Sequence, residues 1–253
     1  MNDEIQVPLF TNQYERKLII LIDILGFKDF ISSNYDTAKE EAVLTFTAHF
    51  QKMVSEGYKT LPKGLFQPTF HFFSDTIFIS LPLELYNTPN IGLESGVDIN
   101  KQRILYIARL LISDIQIYSL CHGLLTRGCL TIGAIYHKEN TWFGPGLIDA
   151  HYHESKIAIY PRVILSKSAI NYFNNEVVND ENNSFIQDFD GYYYVNYIAW
   201  IPILFNDEFS KVHHDLEELI IKNMEKLSAP HKIYELQKWM WLSIYFKNIP
   251  MKN

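Results

Sequence analysis

Two aspartates and one arginine stand where their side chains could do chemistry. Asp23 follows the aliphatic run Leu18–Ile22 within "LIILIDILGFKDFI" (18–31), Asp75 lies in "FSDTIFIS" (73–80), and Arg127 is the second residue of "TRGCLTIGAIYH" (126–137). A carboxylate at the end of a buried run is costly unless a cation or hydrogen bonds offset its charge. Two carboxylates at close range raise each other's pKa unless a cation lies between them. Hard oxygen donors suit Mg²⁺ or Mn²⁺, which fill the rest of their shell with water and phosphate oxygens. Two such ions about 3.5–4 Å apart, one activating a hydroxyl and one holding a triphosphate, form the arrangement of phosphoryl transfer. Asp23 and Asp75 are therefore expected to be metal ligands, joined by the carbonyl of Ile24 where the strand ends. Either aspartate alone also reads as a turn residue; the two at adjoining strand ends favour metal.

Between the two lies "LGFKDF" (25–30). Gly26 permits a tight turn, and the N–H groups of Leu25 to Lys28 make a cradle for phosphate oxygens. An arginine in an apolar strand calls for an anion. For Arg127 that anion is either a triphosphate or a neighbouring acid, and both readings stand.

The aspartates must be brought together by the elements that carry them. Leu18–Ile22 reads as a strand buried on both faces. A helix capped by Asp36 or Thr37 follows, with Val43, Phe46, Phe50, Met53 and Val54 at helical spacing. Residues 66–81 read as a hairpin turning at Ser74 and Asp75. After a loop over 84–98 come a helix from about Lys101 to His122, a strand over 126–137, the turn "FGPG" (143–146) and a short helix from about Leu147. Strand, helix, strand, strand, helix, strand is the split βαβ or ferredoxin-like order. Right-handed crossovers then set strands one and three side by side and antiparallel. Asp23 ends strand one and Asp75 starts strand three, so residues 52 apart in sequence meet through topology. The expected fold class is α+β, a ferredoxin-like (palm) βαββαβ core over 14–175 with a C-terminal α/β extension over 176–253, all one domain. "YPRVILS" (160–166) adds a strand, "DFDGYYYVNYI" (188–198) a strand pair, and two helices end in "KWMWLSIYFKN". Tyr192 to Tyr194, Trp239 and Trp241 are expected to pack on the same core.

Composition narrows the partners. The chain has 253 residues, 47% hydrophobic and 15% aromatic, so it can bury a sizeable core. Its net charge of −7 lacks the basic surface that nucleic-acid binding needs, so any anion must be held locally. Cys121 and Cys129 have no zinc-type partners and read as reduced thiols. The N-terminus is acidic rather than signal-like and the apolar runs are short for a bilayer span. The expectation is a cytoplasmic protein with no membrane and no nucleic-acid partner. "HYH" (151–153) and His213–His214 read as structural or exposed histidines.

"LIDILGF", "FSDTIFIS", "RGCLTIGAIYH", "FGPGLIDAHYHES" and "YPRVILS", five motifs in order over residues 18–168, resemble a class III nucleotidyl cyclase domain. They are most similar to its antiphage branch, the Pycsar pyrimidine cyclases. The resemblance implies a homodimer with active sites at the subunit interface. It makes Asp23, Asp75 and the Ile24 carbonyl ligands of two Mn²⁺ or Mg²⁺ ions per site. Gly26, Phe27 and Lys28 would border the triphosphate, with Arg127 beside them in catalysis. The reaction implied is attack of the ribose 3′-hydroxyl on the α-phosphorus, releasing pyrophosphate. The product, cyclic UMP or cyclic CMP, would be an antiviral signal read by a separate effector protein. Purine cyclases carry a base-reading lysine at the position of His71, and an asparagine and an arginine at those of Ile148 and Tyr152. These departures imply that His71 and Tyr152 border a different nucleotide, a pyrimidine triphosphate. Phe50, Phe72 and Phe73 are expected to narrow the pocket. The alternative is a catalytically inactive, cyclase-like nucleotide-binding module; the intact aspartate pair favours the enzyme.

Overall fold

Alternation along β1 (Glu15–Leu25) sets up two layers of core. Successive strand side chains point to opposite faces, and here both faces are apolar. Leu18, Ile20, Ile22 and Ile24 join one cluster, and Ile19 and Leu21 join another. The structure, a computed structural model, describes residues 14–34, 45, 48, 49, 52, 68–83, 98–138, 141–178, 180, 183–227 and 232–248. The expected helix over roughly 37–54 and the loop over 84–97 lie almost wholly outside them.

Gly26, at φ +74°, turns β1 directly into α1 (Phe27–Asn34). The hairpin β2 (Thr69–Phe73) and β3 (Thr76–Pro82) turns at Ser74 and Asp75, with Ser74 at φ 56°. The long α2 (Ile99–Cys121) starts at Asp98, whose side chain accepts from the N–H groups of Asn100 and Lys101. Then come β4 (Leu125–Lys138), β5 (Thr141–Phe143) and α3 (Pro145–Tyr152). β5, which pairs with the end of β4, was not expected from sequence, because three residues are too short for a periodic signal. A π-helical turn, His153–Ile157, leads to β6 (Val163–Leu165), α4 (Lys167–Phe173) and α5 (Asn175–Val178). The chain ends through β7 (Phe185–Gln187), β8 (Tyr193–Val195), α6 (Ile201–Phe205), α7 (Phe209–Lys226) and α8 (Ile233–Asn248).

The sheet order is β2-β3-β1-β4-β6-β8-β7, with β5 on β4. Its first four strands have the ferredoxin-like order: β1 lies between β3 and β4, antiparallel to both. α2 covers one face, burying Ile104, Ala108, Leu111, Ile112 and Ile115 against the even residues of β1. By length and composition α2 would suit a membrane span, but its apolar residues form this core.

α3 lies on the other face and approaches it closely because glycines meet there. A Cβ on Gly133 would fall 2.5 Å from the Cα of Gly146, and one on Gly146 2.5 Å from Cδ1 of Ile19. The hydroxyl of Thr131 donates to Asp149 of α3 at 2.6 Å and lies within 2.9 Å of Ser166 and Ser168, pinning helix to sheet.

The C-terminal segments complete a second core. Tyr194, Trp239, Leu242, Tyr245 and Phe246 pack with Leu120, Leu125, Cys129 and Ile164, with Tyr192 and Trp241 against them. At its edge Arg162, wholly buried, donates to both Asp188 and Asp190. Its guanidinium lies 5.6 Å from the Tyr160 ring centre and 5.8 Å from those of Tyr194 and Trp241. The indole N–H of Trp241 donates to Asp188 at 3.0 Å. "YPRVILS", "DFDG" and "KWMW" are thus three parts of one knot.

Candidate active site

The end of β1 is held between two strands. Asp23 stands opposite Thr76 on β3 and opposite Arg127 on β4. One residue on, the N–H of Ile24 donates to the carbonyl of Asp75 at 2.9 Å, which ties the hairpin turn to the strand. β1 runs to Leu25, so Ile24 is still within the strand, contrary to the expectation that it leaves there. Its carbonyl lies on the same edge as its N–H, facing Asp75.

Arg127 is paired within its own chain. Its Nε donates to Oδ2 of Asp23 at 3.2 Å, and its Nη2 lies 2.8 Å from Oε1 of Glu154. Of the two readings left open by the sequence, the structure displays the neighbouring acid, twice over. Glu154 sits in the π-helical turn after α3 and is almost wholly buried. Burial pushes the carboxyl of Asp23 above its ordinary value; Arg127 opposes this and Asp75 adds to it. Glu154 is likewise raised by burial, against the pull of Arg127 and with Asp23 adding. Lys238, on α8, is lowered by burial first and by Arg127 next, while Glu235 and Asp23 hold it up. Asp23, Asp75, Glu154, Arg127 and Lys238 therefore lie near enough to feel one another's charge.

Such a donor set suits a hard divalent cation. Asp23 and Asp75 repel each other, and the buried charge of Asp23 is offset by half of one guanidinium. Among the described residues no three His, Cys, Asp or Glu side chains converge to hold an ion unaided. Two carboxylates and a carbonyl would leave the remaining positions to water and phosphate oxygens, as Mg²⁺ and Mn²⁺ sites commonly do.

The other expected residues are placed differently. Gly26 has open space around its α-carbon, so its positive φ, rather than crowding, is what calls for glycine. The ring of Phe27 packs into the α2-side core, leaving only its backbone at the site, and Lys28 is exposed on the first turn of α1. His71 pairs with Phe78, two residues along β3 from the partner of Asp23. Its ring lies 4.8 Å from that of His137 and 5.9 Å from that of Trp142, and its Nε2 is buried with no hydrogen-bond partner. His137 contacts Ser80 Oγ at 2.5 Å, and burial, with His71 adding, lowers its pKa to about 4. Tyr152 is 57% exposed, and its ring meets that of His153 edge-on. Phe72 packs on the α2-side core, the face opposite Asp23, and Phe73 is exposed, so neither narrows a pocket around His71; Phe50 lies outside the described residues.

Glu154 and Lys238 were missed by sequence reasoning. A glutamate in "HYHES" has no signature that marks it as buried. Lys238 had one: a charge beside Trp239 and Trp241 in a helix otherwise committed to a core.

The fold and site together define a ferredoxin-like palm sheet with acids gathered at the end of its central strands. No family model and no curated protein matches the chain. Among solved structures it is similar to the crystal structure of the guanylyl cyclase Cya2, at 15% identity and a TM-score of 0.41, covering 72% of this chain and 91% of that one.

Proposed function

We propose that this chain is a nucleotidyl cyclase that converts UTP or CTP to the 3′,5′-cyclic monophosphate and pyrophosphate. The observation that carries the reading is the meeting of Asp23 and Asp75 at adjoining ends of β1 and β3, with Arg127 beside them. Asp23, Asp75 and the Ile24 carbonyl would hold two Mg²⁺ or Mn²⁺ ions. Bound there, the ions would lower the pKa of the ribose 3′-hydroxyl and neutralise charge on the departing pyrophosphate. The N–H groups from Gly26 to Lys28 would receive phosphate oxygens, and Lys238 would add positive charge beside them.

The base assignment rests on His71. With its ring packed on His137 and Trp142, it presents a flat imidazole where a purine reader would extend a lysine ammonium. Pro145, the first residue of α3, offers no N–H donor. A pyrimidine substrate follows, and by the resemblance an antiphage role, a cytoplasmic location and a separate effector that reads the product. The homodimer is supported by Ile148, Tyr152 and Ile159, apolar or aromatic side chains exposed by half or more on and after α3.

The test is incubation with Mn²⁺ and each of the four triphosphates, with products weighed by mass spectrometry. Cyclic UMP or cyclic CMP with pyrophosphate is expected, and none from Asp23→Asn or Asp75→Asn. Cyclic AMP or GMP as the main product would overturn the base assignment alone. The second reading, an inactive nucleotide-binding module, draws on Arg127 being engaged by Asp23 and Glu154, and on the absence of an asparagine or arginine at Ile148 and Tyr152. Under that reading triphosphate binds and no pyrophosphate is released.

A further inference from the structure

Arg127 forms a bridge whose two ends differ in kind. Its Nε donates to Asp23, a carboxylate about one-fifth exposed, and its Nη2 pairs with Glu154, whose side chain is 7% exposed. Asp23 is the acid an incoming cation can reach. Glu154, buried in its π-helical turn behind α3, is the one it reaches less. A guanidinium on Asp23 and a divalent ion on Asp23 are like charges competing for one carboxylate. Their repulsion is relieved if the guanidinium shifts off Asp23, and the partner within reach of its other nitrogen is Glu154.

We propose that Glu154 is a positioning residue: it holds Arg127 when a divalent cation takes Asp23, and so sets the cation affinity of the site. This rests on the reading of Asp23 as a metal ligand. With Glu154 present, Arg127 keeps a buried counter-charge at every stage and need not be expelled into water. Without it, Arg127 is left with Asp23 as its acid and shuts the site against the cation. Glu154 thus acts through Arg127 and not on the ion, and that separates the proposal from a general field effect. A field effect of a lost negative charge would weaken cation binding equally whether or not Arg127 is present.

The experiment is a double-mutant cycle on the full chain without nucleotide, with Mn²⁺ as the probe and free Mn²⁺ counted by electron paramagnetic resonance. Arg127→Gln should bind Mn²⁺ about tenfold more tightly than wild type, and Glu154→Gln about tenfold more weakly, each near the size of one charge interaction. In the Arg127→Gln background, Glu154→Gln should lose most of its effect. Comparing Arg127→Gln with the double variant asks whether Glu154 still matters without Arg127, so a tenfold loss remaining there would overturn the proposal even if Glu154→Gln alone folds poorly; thermal melts of all four proteins check folding. Additive effects, or an unchanged affinity in Glu154→Gln, would overturn the proposal. Asp23→Asn separates the two levels. If it abolishes Mn²⁺ binding while the cycle is additive, only the role of Glu154 falls; if it binds Mn²⁺ as wild type does, the metal reading itself falls.

Discussion

A guanidinium shared between Asp23 and Glu154 leaves each acid partly satisfied, and this has a consequence for pH. The carboxyl of Asp23 is raised above 3.8, by burial first. A carboxylate whose folded pKa is raised contributes stability below its unfolded value and loses it as pH rises through the folded one. Without metal, Asp23→Asn should therefore melt higher than wild type at neutral pH, and the gap should close as the pH falls to 3.8. Scanning calorimetry in EDTA across that range measures it. A variant that melts lower at neutral pH would mean that the pair with Arg127 outweighs the burial. The residue types were legible in the sequence: an acid ending an aliphatic run, an acid in a hairpin turn and an arginine in an apolar strand all announced a charge problem. The solution to it was not. Arg127 lies 104 positions from Asp23, and only the pairing of β1 with β4 makes them opposite residues.

At the scale of elements, the long and strongly patterned segments declared themselves. β1, the β2–β3 hairpin, α2 and β4 were all readable, because alternation and helical spacing run over many residues. What escaped was short or depended on distant partners: β5, α1 starting straight after Gly26, and the π-helical turn that seats Glu154. The knot around Arg162 was visible as three motifs but not as one object. Breaking a buried ion pair by removing one partner strands the other charges, at about 3–5 kcal/mol. Arg162→Met would strand both Asp188 and Asp190, and Arg162→Lys would keep the charge while losing the fork that grips two acids. Both should lower the urea midpoint at an unchanged m value, the Met variant more. A Met variant within about 0.5 kcal/mol of wild type would mean that the two acids find other partners or protons.

The whole molecule is where the C-terminal extension must be judged. β8 pairs with β6 and β7 with β8, so the extension continues the sheet of the ferredoxin-like core. Its last helix supplies Trp239, Leu242, Tyr245 and Phe246 to a cluster that also takes in Leu125 and Cys129 of β4 and Ile164 of β6. Removing a buried Phe or Trp side chain alone costs about 3–5 kcal/mol, and a domain's whole stability is about 5–15 kcal/mol. Losing four large side chains together, with Lys238 among them in sequence, should exceed what the remaining core can bear. A chain ending at residue 231 is therefore predicted to lose cooperative folding rather than survive as a smaller folded domain. Near-ultraviolet circular dichroism and the sharpness of the thermal transition measure this directly. Flat aromatic signals and dye-binding apolar surface are expected, as in a molten state. A truncated chain with a sharp transition and retained Mn²⁺ binding would instead make residues 232–253 dispensable to the fold, and would place Asp23 and Asp75 in a core that stands without them.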